Sequence, residues 1–492
     1  MDAMVKDRAT SARSKPASTS TSAGAGAVEA EKIGRLHGEY HSVAERRAAG
    51  KALREQASRA SHGKWKPPAD RRDPVELTLA SNAGRQPNLI PIRMGRMAQS
   101  PFTFYRGSAG LMAADLATTP QSGLRVQACG DAHLMNFGGF ATPERNVVFD
   151  INDLDETLPA PWEWDLKRLT ASMVIAGRDL GLTETDSAKA AIRTAKTYRE
   201  RMTNYSSMRA LEVWYDFIDV DRVIKYSEKR AGLNRKEVEA RIEKAHKKSA
   251  PDLLFPKLAE MQGNLPMIKD ELPLIYHPDK NDAVGAREGY TKQIEQYRET
   301  LPEHVRTLLD RFHMRDLAYK VVGVGSVGTT CVICLFMAAD DDPLFLQVKE
   351  ARRSVLEPYA GKSLHKNQGE RVVAGQRLMQ FASDIFLGWI RGADNRRDFY
   401  FRQLRDTKLS PFMVGWDYRA LRTYGELCAW ALARAHARSG DSAAIAGYMG
   451  SCDAFDNAIG DFSVDYADQN ERDYEELAKA IRNGKIEAKM VD

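Results

Sequence analysis

Short apolar runs are separated along this chain by longer stretches of helix-forming residues. The runs Leu124–Cys129 and Val147–Ile151 are bounded by turn residues, which is typical of short buried strands. Strand patterns return much later in the sequence, at Ala318–Val322, Cys331–Met337, Leu344–Val348 and Phe399–Leu404. The pattern therefore predicts a mixed α+β fold.

Helical patterns fill most of the remaining sequence. A helix is predicted from Trp162 to about Asp179, because two prolines precede it and a glycine follows it. From Ser187 to about Glu299 the sequence is charged, rich in helix formers and largely without strand signals, so we predict a helical subdomain there. Two further helical regions are Gly369–Trp389 and Leu421–Ile481.

Composition narrows the class of protein. The 492 residues are 43% hydrophobic and 28% charged, which is ordinary for a soluble globular protein. A bilayer span needs about eighteen consecutive apolar residues, and the sequence has no such run, which argues against a membrane role. The first 28 residues are rich in Ser, Thr, Ala and Gly and lack the apolar centre of a secretion signal, so a disordered tail is expected.

Charge and cysteine usage point to a cytoplasmic protein without a nucleic-acid partner. The net charge of +5 is spread over the chain, with no basic block interleaved with aromatic residues. The five cysteines are an odd number in a large chain, which favours reduced thiols. Cys331 and Cys334 form a C-x-x-C, but positions three apart on a strand point to opposite faces, which disfavours a metal or redox site.

The segment Gly130–Gly139 contains the first candidate for chemistry. Asp131 and Asn136 lie five residues apart between glycines that allow tight turns. A carboxylate near a hydroxyl can orient it and accept its proton, and an amide oxygen can bind a metal ion without adding charge. The alternative is a turn in which both side chains cap backbone groups. In the same turn, His133 is interpreted as a structural residue.

An acidic stretch follows the second predicted strand. Asp150, Asp153, Asp155 and Glu156 place four carboxylates within seven residues, and this much negative charge requires a cation or solvent to compensate it. A divalent metal ion is the expected compensator. An EF-hand calcium loop is disfavoured, because the glycine and the glutamate that such a loop needs at its sixth and twelfth positions are missing.

A glycine-rich segment in the second half of the chain is a candidate phosphate-binding loop. Gly323, Gly325 and Gly328 have the spacing G-x-G-x-x-G, with Ser326 between them. The residues that follow favour a strand, whereas a dinucleotide-binding motif opens a helix. This favours a glycine-rich hairpin over phosphates, for which Lys349 on a later strand would supply positive charge, although a lysine at a strand end is often only solvated.

Three other polar residues have both a structural and a functional interpretation. Arg106 follows three aromatic residues and could reach an anionic ligand or stack on a ring. Asp165 lies at the start of a predicted helix, where a carboxylate accepts backbone N–H groups as a cap. His436 lies near a helix end and could face a cleft or satisfy that end.

These motifs together resemble two groups of proteins. Gly-Asp-x-His-x-x-Asn followed by a strand that ends in Asp resembles the catalytic and metal-binding loops of the protein-kinase-like superfamily, especially aminoglycoside and choline phosphotransferases. The region from about residue 38 to 475 is similar to the bacterial family called domain of unknown function 2252. The phrases that carry this second resemblance are Pro-Ile-Arg-Met-Gly-Arg-Met, Phe-Tyr-Arg-Gly, Gly-Asp-Ala-His-Leu-Met-Asn-Phe-Gly, Asp-Ile-Asn-Asp-Leu-Asp-Glu and Val-Gly-Ser-Val-Gly-Thr.

The kinase-like resemblance implies roles for individual residues. Asp131 would be the catalytic base, Asn136 and Asp150 the metal ligands with Asp153 as the alternative to Asp150, and Lys349 the phosphate-pairing lysine. Gly323, Gly325, Ser326 and Gly328 would contact the nucleotide. The sequence departs from the superfamily in three ways: Cys129 stands where histidine is common, the motif after the strand is Asp-Ile-Asn, and the nucleotide loop follows the catalytic loop.

The last departure implies a circular permutation, and the expected fold is therefore a two-lobed, circularly permuted, kinase-like α+β fold with a helical insertion. The expected parts are a disordered tail (1–30), the catalytic-loop part of the larger lobe (31–186), the helical subdomain (187–315), a β-rich nucleotide-binding lobe (316–410) and the C-terminal helices of the larger lobe (411–492).

The expected activity is phosphoryl transfer from ATP, with magnesium, to a hydroxyl of a small molecule or a protein. Transfer of AMP on the same fold and a non-catalytic nucleotide-binding scaffold are the alternatives. The partner is thus a small-molecule or protein acceptor, with no nucleic acid and no membrane. The acidic partner of Lys349, for which Glu357 and Glu370 are candidates, and the oligomeric state stay open.

Overall fold

The computed structural model describes the chain from residue 40 to residue 490 with internal gaps. The described residues are 40–231, 235–249, 251–263, 265–277, 292–321, 323, 325, 327–340, 342–404, 409 and 413–490. The predicted tail (1–30) and Ser326 lie outside them.

Pairs of short antiparallel strands form the first sheets along the chain. They are β1 (Arg125–Ala128) with β4 (Leu158–Pro161), β2 (Phe137–Ala141) with β3 (Val147–Ile151), and β5 (Ala259–Gln262) with β6 (Leu265–Ile268). The β2–β3 register places Gly138 opposite Asp150. A Cβ atom at Gly138 would lie 2.4 Å from the carbonyl oxygen of Leu409. Glycine is thus required where another backbone segment approaches this hairpin.

A larger antiparallel sheet is built from six described strands. These are β7 (Ile275–Tyr276), β8 (His313–Lys320), β9 (Cys331–Met337), β10 (Pro343–Ala351), β11 (Gly388–Arg391) and β12 (Asp398–Gln403), in the order β11-β12-β10-β9-β8-β7. Apolar clusters cover both faces of this sheet, which explains why β9 is apolar throughout and why β10 is buried over most of its length. In the centre, Lys349 of β10 pairs with Cys331 of β9 and with Tyr400 of β12.

Helices make up most of the other described residues. They are α1 (Val43–Ala52), α2 (Pro74–Ala80), α3 (Ile90–Met97), α4 (Pro101–Gly107), α5 (Ala109–Leu116), α6 (Trp162–Asp179), α7 (Glu184–Tyr205), α8 (Ala210–Tyr215), α9 (Val220–Ala231), α10 (Arg235–Ser249), α11 (Pro251–Leu258), α12 (Glu303–Leu309), α13 (Glu357–Ala360), α14 (Gln368–Met379), α15 (Tyr418–Ser439), α16 (Ser442–Met449) and α17 (Ala454–Arg482). Residues 292–299 are also helical. None of these described helices has the length and the apolar character that crossing a membrane requires.

Helix α6 is buried along nearly its whole length, although its first turns carry several charged residues. It packs against α7 and α17. Trp162 of α6 stacks on Tyr198 of α7, with 5.6 Å between ring centres and 4° between ring planes. Since α6 also packs against β1, its buried Asp165 and Arg168 lie behind the loop that follows that strand.

The structure confirms a mixed α+β fold, the strands β1, β3, β9, β10 and β12, and the helix α6. The prediction of a helical segment at 187–315 is wrong in part, because β5, β6, β7 and the start of β8 lie within it. Strand β6 packs against β8, so tertiary contacts stabilise strands that the local sequence does not indicate. Division into the expected lobes stays a prediction.

Candidate functional site

Lys349 meets the acidic turn after β3, although 194 residues separate it from Asp155. The Lys349 ammonium donates to Asp155 Oδ2 over 2.6 Å, and the two side chains are 9% and 27% exposed. Burial lowers the pKa of Lys349, but Asp153 and Asp155 outweigh this effect and raise it well above its usual value. Burial also raises the pKa of Asp155, and Lys349 brings it below its usual value. Both groups are therefore charged at neutral pH.

Strand β12 contributes two more polar side chains to this junction. The Tyr400 hydroxyl donates to Asp155 Oδ1 over 2.5 Å, so both oxygens of Asp155 have a donor. Burial lowers the pKa of Arg402, but Tyr400 and the neighbouring carboxylates, Asp153 first among them, raise it overall. A second cation thus faces the acidic turn from the large sheet.

The backbone of the acidic turn is fixed by Arg371 of α14. This 2% exposed arginine donates to the carbonyl oxygens of Asp155 (2.8 Å), Thr157 (2.6 Å) and Arg352 (2.8 Å). Because Arg352 directly follows β10 and Asp155 follows β3, Arg371 ties together the two segments whose side chains pair.

Glu156 is an acidic residue of this turn with a raised pKa. Its Oε2 accepts the backbone N–H of Val355 over 2.7 Å. Burial raises the pKa of Glu156 to about 7; Asp131 and Asp155 add to this effect, and Arg371 opposes it. At neutral pH the turn therefore carries less negative charge than its count of carboxyl groups suggests.

Asp165 of α6 binds the backbone of the loop that carries Asp131. Gly130 has φ of +82°, and a Cβ atom there would lie 2.6 Å from the carbonyl oxygen of Glu156, so glycine is required. The N–H groups of Cys129 and Gly130 donate to Asp165 over 2.6 and 2.9 Å. His436 Nε2 lies 3.0 Å from the same carboxylate. Asp165 and His436 therefore stabilise the loop. Asp165 accepts backbone N–H groups of this loop and not those at the start of its own helix.

The Asp131 carboxylate is 20% exposed and is paired with Arg168 of α6. Arg168 Nε and Nη2 lie 2.6 and 2.5 Å from Oδ1, and the nearest His133 nitrogen lies 3.9 Å from Oδ2. Burial lowers the pKa of His133 to about 3. Asp131 opposes this effect, and Arg106 and Arg168 add to it. His133 is therefore neutral, and its Nδ1 accepts the N–H of Met135. Oδ2 is the Asp131 oxygen that could accept a hydrogen bond from an incoming hydroxyl.

Asn136 lies beside both the Asp131 loop and the acidic turn. The Asn136 Nδ2 donates to the backbone carbonyl oxygen of Asp131 over 2.8 Å. The backbone carbonyl oxygen of Asn136 accepts the N–H of Asn152 over 2.7 Å. Since the amide nitrogen is engaged with the loop, the side-chain oxygen is the atom that could bind a metal ion. Asp153 follows Asn152 directly and is half-buried.

Asp150 points into the core and has three donors. Its Oδ2 accepts from Arg434 of α15 over 2.6 Å and from the N–H of Phe381 over 2.8 Å, and its Oδ1 accepts the N–H of Ile151 over 2.9 Å. Asp150 and Arg434 are each 1% exposed. A metal ion would have to displace these donors, which disfavours Asp150 as a metal ligand.

The fit of a magnesium ion to the described residues is partial. No group of three or more His, Cys, Asp and Glu side chains within the described ranges has the spacing of a metal site. Magnesium is, however, commonly bound by one or two carboxylates together with substrate phosphates and water. Asp153 and the Asn136 oxygen are of that kind.

The glycine-rich segment connects the antiparallel strands β8 and β9, as the hairpin prediction requires. Gly328 has φ of +85°, and Arg85 donates to the carbonyl oxygens of Val327 (2.5 Å) and Gly325 (2.9 Å). Gly323 is exposed, and a Cβ atom there would meet nothing within 4 Å. The loop therefore runs directly into the strand that pairs with Lys349.

Arg106 lies between the glycine-rich segment and Asp131. A Cβ atom on Gly325 would lie 3.9 Å from the Arg106 carbonyl oxygen. Burial lowers the pKa of Arg106, and Asp131 opposes this effect. Its Nε is buried without a hydrogen-bond partner among the described residues. A buried donor of this kind favours an anion at this position.

The structure thus brings together Asp131, Asn136, Asp153 and Lys349, and it places Asp150 elsewhere. Sequence reasoning missed five residues of the site, Arg85, Arg168, Arg371, Tyr400 and Arg402. Arg168 carried a weak signal, since it lies in a helix whose charged residues alternate with Trp and Leu. The partner of Lys349 is Asp155, whereas Glu370 lies 3.3 Å from His365.

Residues 85–480 match the model of a family described as an uncharacterized protein conserved in bacteria, DUF2252. The chain belongs to this family, since the match covers well over half of its length. No curated protein and no solved structure matches the chain.

Proposed function

We propose that this protein transfers a phosphoryl group from ATP, with magnesium, to a hydroxyl of a small molecule or a protein. The observation that carries the proposal is the 2.6 Å pair between Lys349 and Asp155, which joins the large sheet to the acidic turn beside Asp131. Phosphoryl transfer needs a lysine and metal ions near the phosphates and a carboxylate near the acceptor hydroxyl. A kinase-like, permuted arrangement of the chain is part of the proposal.

Each group has a role in this scheme. Lys349 pairs with phosphate oxygens, and Asp153 with Asn136 holds the magnesium, which supplies charge neutralisation when bound. Asp131 orients the acceptor hydroxyl through Oδ2 and accepts its proton. The glycine-rich segment covers the phosphates with its backbone, and Arg106 contributes positive charge next to Asp131.

A non-catalytic nucleotide-binding protein is the second candidate. The observation that favours it is the close pair between Arg168 and Asp131, with two nitrogens at 2.6 and 2.5 Å from one carboxylate oxygen. Two guanidinium nitrogens on one oxygen hold the carboxylate in place, which is a structural use of this side chain. In this case ATP binds without turnover.

Incubation with magnesium and ATP labelled at either the α or the γ phosphate tests the proposal. Wild type is compared with Asp131→Asn and Lys349→Met across a panel of hydroxyl acceptors. The matched controls are Asp70→Asn and Lys362→Met, the same changes at exposed positions. Transfer of γ label that falls at least about a hundredfold in both site variants supports the kinase.

Other outcomes of this experiment contradict that proposal. Transfer of α label indicates AMP transfer. ATP binding without any turnover supports the second candidate. Equal turnover in the site variants and the controls shows that the chemistry takes place elsewhere.

A further inference from the structure

A cavity of about 580 Å³ lies between α7, α9 and α15. None of its lining residues belongs to the candidate site described above. Its volume falls within the range of about 300 to 1,000 Å³ that is common for small-molecule sites.

The walls of this cavity are strongly basic. Four cationic side chains line it, Arg201 from α7 and Arg222, Lys225 and Arg230 from α9. Asp216 is the carboxylate among the described lining residues, and it already accepts hydrogen bonds from Arg222 (2.7 Å) and Tyr205 (2.6 Å). The lining therefore has a surplus of positive charge.

Two of the four cations have no carboxylate partner within the part of the chain that the structure describes. Arg222 pairs with Asp216, and Arg230 lies 3.3 Å from Glu426, which also pairs with Arg193. For Arg201 and Lys225 the described residues offer no such pair. An anionic ligand would compensate these two charges.

Stacking on aromatic rings orients the arginines. The Arg201 guanidinium lies 3.6 Å from the centre of the Trp430 ring, and the Arg230 guanidinium lies 3.9 Å from the centre of the Tyr226 ring. The Trp430 Nε1 donates to the Tyr205 hydroxyl over 2.9 Å, so the ring itself is held. A guanidinium group that stacks on a ring keeps its N–H groups, which lie in its own plane, available to donate to the oxygens of a phosphate.

We propose that this cavity binds a phosphoryl group of a small phosphorylated molecule, with Arg201 and Lys225 as its principal ligands. The inference does not depend on the proposed phosphotransferase activity, because it uses no residue of that site. The phosphoryl group could belong to a free metabolite or to a lipid headgroup, since exposed Leu211 and Tyr215 lie on the neighbouring helix α8.

Calorimetric titration with inorganic pyrophosphate, without magnesium, tests the site on the full chain. The double variant Arg201→Gln/Lys225→Gln removes both charges, and Lys189→Gln, on an exposed part of the same helix α7, is the matched control. The Lys349→Met variant shows how much of the pyrophosphate binding, if any, takes place at the candidate functional site around Lys349. Vesicles with and without phosphatidylglycerol form a second arm that tests a lipid source.

The expected result is pyrophosphate binding that weakens about tenfold or more in the double variant and is retained in Lys189→Gln. Binding to the anionic vesicles alone, lost in the same double variant, also supports a phosphoryl site and assigns it to a lipid. Absence of binding in both arms, or equal binding by wild type and the double variant, overturns the proposal.

Discussion

Asp150 and Asp155 come from the same acidic stretch, five residues apart, and the fold uses them in opposite ways. Asp150 is paired with Arg434, and both side chains are 1% exposed. Asp155 is paired with Lys349 at the same distance of 2.6 Å, but its side chain is 27% exposed and lies next to Asp153 in the turn. A fully enclosed ion pair holds the structure together, whereas a pair at the edge of the core has a cation that can exchange partners with a ligand.

The Asp150→Ala variant tests the structural half of this comparison and has the largest expected effect on stability. It leaves Arg434 buried without its counter-charge, which should lower the free energy of unfolding by about 3 to 5 kcal/mol. Urea unfolding followed by circular dichroism measures the change. Asp153→Ala, at a half-buried position, is the control and should cost clearly less. If the two variants are equally stable, Asp150 is not a structural anchor.

The pH dependence of stability sharpens the description of the acidic turn. The pKa of Glu156 is raised to about 7 in the folded protein, above its value of about 4.3 in an unfolded chain. Between these values the folded state binds more protons than the unfolded state, so the Glu156 carboxyl makes stability fall as pH rises.

The Glu156→Gln variant lacks this titration. Its free energy of unfolding relative to wild type should therefore be about 1 to 3 kcal/mol higher at pH 8 than at pH 5. Denaturant unfolding at both pH values measures the difference, with Glu260→Gln, an exposed residue, as the control. A pH-independent difference would show that Glu156 has an ordinary pKa.

A smaller effect is expected in the glycine-rich segment. Gly328 has φ of +85°, and a Cβ atom there would lie 3.0 Å from the Cβ of Arg85. Gly328→Ala should therefore cost about 1 kcal/mol. Gly323→Ala, where a Cβ meets nothing within 4 Å, should be nearly neutral. Thermal unfolding compares the two, and an equal effect at both positions would contradict the loop geometry.

The sequence predicted the elements of this site better than their pairing. The strand that carries Lys349 begins with an apolar run after a turn, and the Asp131 loop lies between two short apolar runs, so local patterns were sufficient for both. The partner of Lys349 was not predictable, because Asp155 is 194 residues away and has three carboxyl neighbours with the same local signal. Ion pairs between distant segments depend on packing, which no local pattern contains.

The same limit explains two other misses. The helix that contains Arg168 was predicted from its start and stop signals, which do not show that α6 is buried along its length or that Arg168 pairs with Asp131. Strands β5 and β6 are four residues each; β5 pairs with β6, and β6 packs against β8, a contact that no local pattern contains.

Binding of magnesium ATP, measured by calorimetry on wild type, Lys349→Met and the exposed control Lys362→Met, tests most directly whether the Lys349 junction is a nucleotide site. We predict that wild type and Lys362→Met bind equally and that Lys349→Met binds at least about tenfold more weakly, because it lacks the cation that faces the phosphates. Equal binding by Lys349→Met, or absence of binding by wild type, would contradict this assignment.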